Sequence, residues 1–240
     1  PFEHDDDPII LYELRLRYYV NALRMIGYPY TFRTVGSSMA VRNEVYQKVG
    51  GMNTRKAGED FYFLQKLRKT GPVHQWNEEY VYPEARFSDR VFFGTGPAMI
   101  TGSKGNWKSY PIYHYRYFDE IKETNECFAL LYRENSPTQM DAFLRIKFPD
   151  RNIWDSLRSN YKQESNFVKA CHDLIDGLRI LQFLKWRNSS NGPEDEKILR
   201  QYLSKYFPEE SVTLEVVNNN FSFDYSSFLF VLAICFISFY

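Results

Sequence analysis

The segment that most constrains the fold is a short amphipathic stretch, residues 58–72, which carries helix signals at both ends. Phe61, Leu64 and Leu67 recur every three residues, the spacing expected for the buried face of a helix. Basic side chains follow in the next turns, and Gly71 precedes a proline, an order typical of a helix C-terminus. The sequence therefore predicts a helix that begins with two carboxylates directly after a glycine.

These carboxylates, Glu59 and Asp60, have two interpretations from their position alone. Acidic residues in the first turn stabilise a helix against its macrodipole by about 0.3–1 kcal/mol each. The same position also holds an acid rigidly where it can face a cleft. The segments before the helix bear on this choice.

The residues upstream form an ordered series of short elements. Residues 34–41 have the pattern of a strand, and residues 43–49 that of a short helix with Asn43 as its N-cap. Gly50 and Gly51 then end that helix. The predicted order is strand, short helix, Gly-Gly, loop and acidic helix start.

Three motifs in this order carry a family resemblance: GSSMAVR at 36–42, VGGM at 49–52 and GED at 58–60. Together they resemble the acceptor-side half of family 2 glycosyltransferases, the inverting nucleotide-sugar enzymes of the GT-A fold. The resemblance covers about residues 30–100. It implies an α/β fold with a partial GT-A (nucleotide-diphospho-sugar transferase-like) domain, and it implies that Asp60 is the general base.

The resemblance also implies partners and roles for neighbouring residues. The expected partners are a nucleotide-sugar donor and a saccharide or lipid-linked acceptor, whose hydroxyl proton Asp60 would take with support from Glu59. Gly36, Ser37 and Ser38 would lie near the donor sugar or the acceptor, because hydroxyl groups bond sugars and glycine permits close approach. The alternative is that these small residues pack against a neighbouring helix.

A second candidate binding segment is the stretch 84–97. Many family members carry a histidine in such a segment, but this chain has Arg86 and Arg90 there, and guanidinium groups suit diphosphate oxygens. We expect one of them to bind the leaving diphosphate and residues 94–96, including Thr95, to form a flexible flap. The alternative is a surface loop whose arginines pair with carboxylates nearby.

The resemblance implies a divalent metal, Mg²⁺ or Mn²⁺, but a metal site is not apparent in the chain. Residues 5–7 are three aspartates without the apolar strand that normally precedes a metal-binding D-x-D motif. Asp7 followed by Pro8 instead predicts the start of an amphipathic helix that ends at Gly27. We therefore expect the donor and metal half to lie before residue 1, and this chain alone to have little or no activity.

The remainder of the chain is predicted to be mainly helical. We divide the chain into the acceptor-side half at 1–105, a helical extension at 106–220 and an apolar tail at 221–240. Short strands are expected at 73–76 and 80–83, and a tyrosine-rich strand or extended arm at 107–118. Helices are expected at 119–134, 137–148, 153–161, 165–187 and 194–206.

The end of the chain, residues 228–240, is 13 nearly continuous apolar residues. This is shorter than the roughly 17–25 residues that a membrane-spanning helix needs. A buried strand, an interfacial segment and a span cut short by the chain end all stay open, and with them membrane association.

Composition excludes some functional classes. Thirty basic and thirty acidic residues balance, which disfavours a nucleic-acid-binding protein because no basic excess is available to neutralise phosphates. Three cysteines without metal-ligand spacing favour a reducing, cytoplasmic setting. The alternative to an enzyme is a non-catalytic helical interaction protein or a membrane-associated scaffold.

Overall fold

The computed structural model describes residues 8–32, 38–54, 58–75, 86–188 and 195–208, and the regular structure in these ranges is α-helical. The helices, in chain order, are α1 (Pro8–Met25), α2 (Asn43–Lys48), α3 (Glu59–Thr70), α4 (Thr95–Gly102), α5 (Tyr115–Glu126), α6 (Phe128–Arg133), α7 (Asp141–Lys147), α8 (Ile153–Asn160), α9 (Glu164–Leu174), α10 (Gly177–Arg187) and α11 (Asp195–Tyr206).

The prediction of an α/β fold with a partial GT-A domain is wrong, because the described residues form eleven α-helices and no β-strand. Of the predicted strands, the described parts at 38–41 and 73–75 are not strands, and the rest lies outside the described residues. The tyrosine-rich stretch is not a strand either, since α5 begins at Tyr115. Strand propensity reflects how well side chains fit a pleated, half-buried surface, so an apolar run without a pairing partner does not define a strand.

The helices at the start of the chain were predicted more accurately. The helix that begins at Pro8 is confirmed and ends at Met25, two residues before Gly27, whose φ is 66°. The acidic helix is confirmed as α3, with Gly71 at its C-cap. The prediction of Asn43 as an N-cap is wrong by one residue, because Asn43 is already helical and Arg42 occupies the cap position.

The chain divides into two compact units. The first consists of Pro1–Asn21, Thr31–Ile112 and Pro193–Tyr240, and the second of Ala22–Tyr30 and Tyr113–Gly192. Each unit therefore combines segments that are distant in sequence. The domain boundaries near residues 105 and 220 stay predictions.

In the first unit, α1 packs against α11. Tyr18 and Tyr202 are both buried, and their rings meet edge to face with centroids 4.9 Å apart. Arg15 lies one turn before Tyr18 with its side chain only 7% exposed, and its guanidinium pairs with Asp195 at 2.5 Å. This ion pair, buried on its Arg15 side only, offsets a positive charge that would otherwise be costly inside the protein.

In the second unit, aromatic side chains fill the core. α9 packs against α6 and α8, and α10 packs against α5. Phe143 and Phe183 are buried with ring centroids 5.5 Å apart at 70°. The thiol of Cys171, on α9, is also fully buried, and burial raises its pKa to about 12.

The helix predicted at 165–187 is two helices. α9 ends at Leu174 and α10 begins at Gly177, with the Asp176 carboxylate accepting a hydrogen bond of 3.2 Å from the backbone N–H of Arg179. The apolar periodicity continues through this break because each of the two helices buries an apolar face. The local signal for the break is therefore the Asp-Gly pair rather than the hydrophobic pattern.

None of the helices in the described ranges combines the length and the apolar character needed to cross a bilayer.

A first prediction concerns the N-cap of α8. The Asn152 side-chain oxygen accepts hydrogen bonds from the N–H groups of Trp154 and Asp155, at 3.1 and 3.4 Å. Asn152→Ala should lower the free energy of unfolding by about 1 kcal/mol in urea titration, because two N–H groups lose their acceptor. Asn152→Asp should keep most of the stability, and Asn160→Ala at the other end of α8 is the control. Equal losses in all three variants would contradict the capping role.

Candidate functional site

The start of α3 is held in place by a glycine. Gly58 has a left-handed backbone, with φ 74°. A Cβ atom at this position would lie 2.9 Å from Cζ of Phe93, so a larger residue would be strained and would collide with the Phe93 ring. The close contact between Gly58 and Phe93 brings the segment before α4 to the acidic start of α3.

One carboxylate oxygen of Asp60 accepts a hydrogen bond, and the other is available to a substrate. Its Oδ1 accepts a hydrogen bond of 2.7 Å from the backbone N–H of Phe61. For Oδ2, no hydrogen-bond partner exists among the residues that the structure describes. Glu59 and Asp60 are both half-buried, with Glu59 the first residue of α3. This geometry suits a capping residue, and it also suits a base whose second oxygen faces a substrate.

The prediction that residues 94–96 form a flexible flap is wrong, because Thr95 and Gly96 are the first residues of α4. Gly94 precedes the helix, and its backbone is bonded on both sides: the Tyr110 hydroxyl accepts from its N–H at 3.1 Å and donates to its carbonyl at 3.2 Å. Gly96 lies so close to Ser88 that a Cβ would be 2.3 Å from the Ser88 carbonyl oxygen. The start of α4 is therefore tightly held.

Two tyrosines pack together beside the start of α4. The rings of Tyr12 and Tyr110 pack edge to face with centroids 5.3 Å apart at 87°. Burial raises the pKa of the Tyr12 hydroxyl far above its usual value, with further increases from Tyr110 and from the Asp60 carboxylate, while its hydrogen bond with the Thr95 side chain acts in the opposite direction. Tyr12 therefore lies against Thr95 and within electrostatic reach of Asp60. We call Tyr12, Thr95 and Tyr110 the hydroxyl cluster.

The structure thus places the Tyr12 hydroxyl against one of the predicted site residues, Thr95, and within electrostatic reach of another, Asp60. Arg86 and Arg90 both lie in the exposed segment that leads to Phe93, and the N–H of Arg90 donates to the Ser88 hydroxyl at 3.4 Å. Ser38 is exposed. The other two predicted binding residues, Gly36 and Ser37, lie outside the described residues.

The divalent metal that the family resemblance implies, with ligands expected before residue 1, stays a prediction. Across the described ranges, no three His, Cys, Asp or Glu side chains are grouped so that they could hold a metal ion. The three aspartates at 5–7 lie outside those ranges.

Tyr12 and Tyr110 were missed as site residues in the sequence. Tyr12 belongs to the buried face of α1, and Tyr110 to a tyrosine-rich stretch that suggested an extended arm. Their pairing depends on contact between distant parts of the chain, so no local spacing signals it. The only local hint is that Tyr110 follows a short helix rich in glycine.

A second prediction tests the bond between Tyr110 and Gly94. Tyr110→Phe keeps the ring contact with Tyr12 but removes both hydrogen bonds to the Gly94 backbone. We expect the free energy of unfolding to fall by about 1–2 kcal/mol and amide exchange at residues 94–98 to accelerate. Tyr161→Phe, at a position 39% exposed, is the matched control and should change neither quantity. Unchanged exchange in the Tyr110 variant would show that the bond does not hold the start of α4.

A third prediction concerns alkaline pH. The Tyr12 pKa in the folded chain is raised above its unfolded value, so its contribution to stability is present below about pH 10 and is lost as the pH rises further. Between pH 10 and 11, stability should fall less steeply in Tyr12→Phe than in the wild type, by up to about 1.4 kcal/mol per pH unit. Urea titrations at several pH values measure this slope. A slope equal to that of the wild type would contradict burial of the hydroxyl.

Comparisons of the chain with protein-family models, with curated proteins and with solved structures found no match.

Proposed function

We propose that this protein is a glycosyltransferase that moves a sugar from a nucleotide-sugar donor to a hydroxyl group of an acceptor, with Asp60 as the general base. The observation that carries the proposal is the arrangement around Asp60. One oxygen is fixed by the Phe61 N–H, and the other has no hydrogen-bond partner among the described residues, beside the hydroxyl cluster. A base must be both aimed and accessible, and this arrangement supports both requirements.

The proposed step is an inverting displacement. The acceptor oxygen attacks the anomeric carbon and forms the new glycosidic bond, while the bond from that carbon to the nucleoside diphosphate breaks on the opposite face. The acceptor hydroxyl proton passes to Oδ2 of Asp60. The electron pair of the broken bond leaves with the diphosphate, so charge moves from the base to the leaving group.

Supporting roles follow from the neighbouring side chains. Burial raises the pKa of Tyr12, so its hydroxyl stays neutral and is available to bond the Thr95 side chain. Thr95 is exposed, so its hydroxyl can contact the acceptor. Glu59 lies directly before Asp60 and adds negative charge at the site.

The leaving diphosphate would be bound by arginine. Arg86 and Arg90 are exposed in the segment that reaches the start of α3 through the contact of Phe93 with Gly58. Guanidinium groups bind phosphate oxygens through paired N–H donors, and they would offset the charge that develops there. Ser38, and Gly36 and Ser37 before it, are assigned to contacts with either sugar in the same proposal.

The proposal includes a cytoplasmic setting. Cys127 and Cys171 are both free thiols, and burial raises the pKa of both groups. Free thiols are typical of reducing compartments, which supports this assignment.

A second candidate is a helical interaction protein in which Asp60 only caps α3. The hydrogen bond from the Phe61 N–H to Oδ1 favours this role, since it satisfies one of the unpaired donors at the helix start. The two candidates differ in what the substitution Asp60→Asn does, because asparagine keeps the capping acceptor but does not act as a base.

The fourth prediction is therefore the rate of sugar transfer by the protein as its organism makes it, measured with a panel of nucleotide sugars and with Mg²⁺ or Mn²⁺ in the buffer. Asp60→Asn should lower kcat by about 100-fold or more, as expected for loss of a general base. Donor affinity, measured by calorimetry, and the free energy of unfolding should change little.

Two further variants are matched controls. Glu59→Gln should reduce the rate less than Asp60→Asn, because Glu59 acts only through its charge. Asp150→Asn, an exposed carboxylate of the second unit, should leave the rate unchanged. A wild-type rate in Asp60→Asn would return Asp60 to the capping role and favour the interaction protein.

A further inference from the structure

The segment before α4 exposes an unusual set of aromatic side chains. Phe87, Phe92 and Phe93 are 64%, 86% and 52% exposed, and they lie within seven residues. Single exposed apolar side chains are ordinary on protein surfaces. Three phenylalanines in one short segment form a concentrated apolar surface, and such surfaces mark interaction sites. We call residues 86–93 the aromatic loop.

Positive charge accompanies these rings. Arg86 and Arg90 are exposed in the same loop, and Asp89 is its one acidic residue, so the loop has two positive charges and one negative charge, a net charge of +1. Apolar rings therefore alternate along the chain with guanidinium groups. This pattern suits a lipid surface, in which anionic headgroups cover an apolar layer of acyl chains.

The aromatic loop is presented by a fixed base rather than by a free end of the chain. At its C-terminal side Gly94 is bonded through both backbone groups to Tyr110. Within it, Ser88 packs directly on Gly96 at the start of α4. Little conformational freedom remains to be lost when the rings bind, which favours docking.

We propose that the aromatic loop docks the protein onto an anionic lipid surface. Phe87 and Phe92 insert their rings at the boundary between headgroups and acyl chains, and Arg86 and Arg90 contact the headgroup phosphates. The driving forces are removal of aromatic surface from water and attraction of the guanidinium groups to the negative surface. The inference rests on exposure and charge, and vesicle binding without a sugar donor tests it independently of the transferase activity.

A second copy of the chain fits this loop less well. Stable protein interfaces use about 20–30 residues from each partner, many more than the aromatic loop contains. A symmetric contact would also set the same residues against each other, so Arg86 and Arg90 would face their own copies. A lipid surface demands no large shape-matched area and has the opposite charge.

The test is sedimentation of the full chain with two kinds of vesicle, one of phosphatidylcholine alone and one that also contains phosphatidylglycerol. The double variant Phe87→Ser, Phe92→Ser should bind the anionic vesicles at least about tenfold more weakly than the wild type. The matched control is Ile146→Ser, which removes a side chain 59% exposed in the second unit and should bind like the wild type.

The charge component is tested separately. Arg90→Gln should weaken binding to the anionic vesicles by about fivefold, with Lys104→Gln, another exposed cation of the first unit, as the control. Added salt should weaken wild-type binding in the same direction. Circular dichroism confirms that each variant is folded.

Three results would overturn the proposal. The first is a wild type that does not bind anionic vesicles. The second is a double variant that binds as tightly as the wild type, which would assign binding to another segment such as the apolar tail. The third is a wild-type dimer in sedimentation velocity that the double variant abolishes without any change in vesicle binding, which would assign the loop to a second copy.

Discussion

The candidate site depends on the hydroxyl group of Tyr110, which holds the start of α4 in place. It bonds the N–H and the carbonyl of Gly94, and its ring supports the edge of Tyr12. Tyr12 in turn bonds the side chain of Thr95. One half-buried phenol therefore connects the start of α4 to a residue of α1, although the two are far apart in the sequence. Since buried hydroxyl groups are costly without partners, this arrangement is stable only as a complete set.

Close backbone approach is the second constraint in this unit. Gly58, Gly96 and Gly102 each face a neighbour at a distance that leaves no room for a side chain, namely Phe93, Ser88 and Trp107. The approaches lie along one path from α3 through the aromatic loop to the end of α4. The neighbouring groups pack this closely because the three glycines have no Cβ atom. Their spacing in the sequence gave no indication of which neighbours they would meet.

Local signals predicted the ends of α1 and α3 well and the fold class poorly. The glycine before Glu59, the glycine after Thr70 and the proline at the start of α1 act within one turn, so the sequence alone predicts α1 and α3. The α/β prediction came from a resemblance between motifs, and motif order does not require that strands form. The pairing of Tyr12 with Tyr110 could not be predicted, because it depends on long-range packing. Asp60 and Thr95 were predicted as site residues, but the bond between Tyr12 and Thr95 was not.

The fully buried thiol of Cys171 has a consequence for following the motions of the protein. It lies on α9 within the aromatic core of the second unit, and burial raises its pKa to about 12. Because only a thiolate reacts readily with disulfide reagents, the closed core protects this atom almost completely. Its modification must wait until α9 moves away from its neighbours. The rate at which a disulfide reagent labels Cys171 therefore reports local opening of the second unit, without an engineered cysteine.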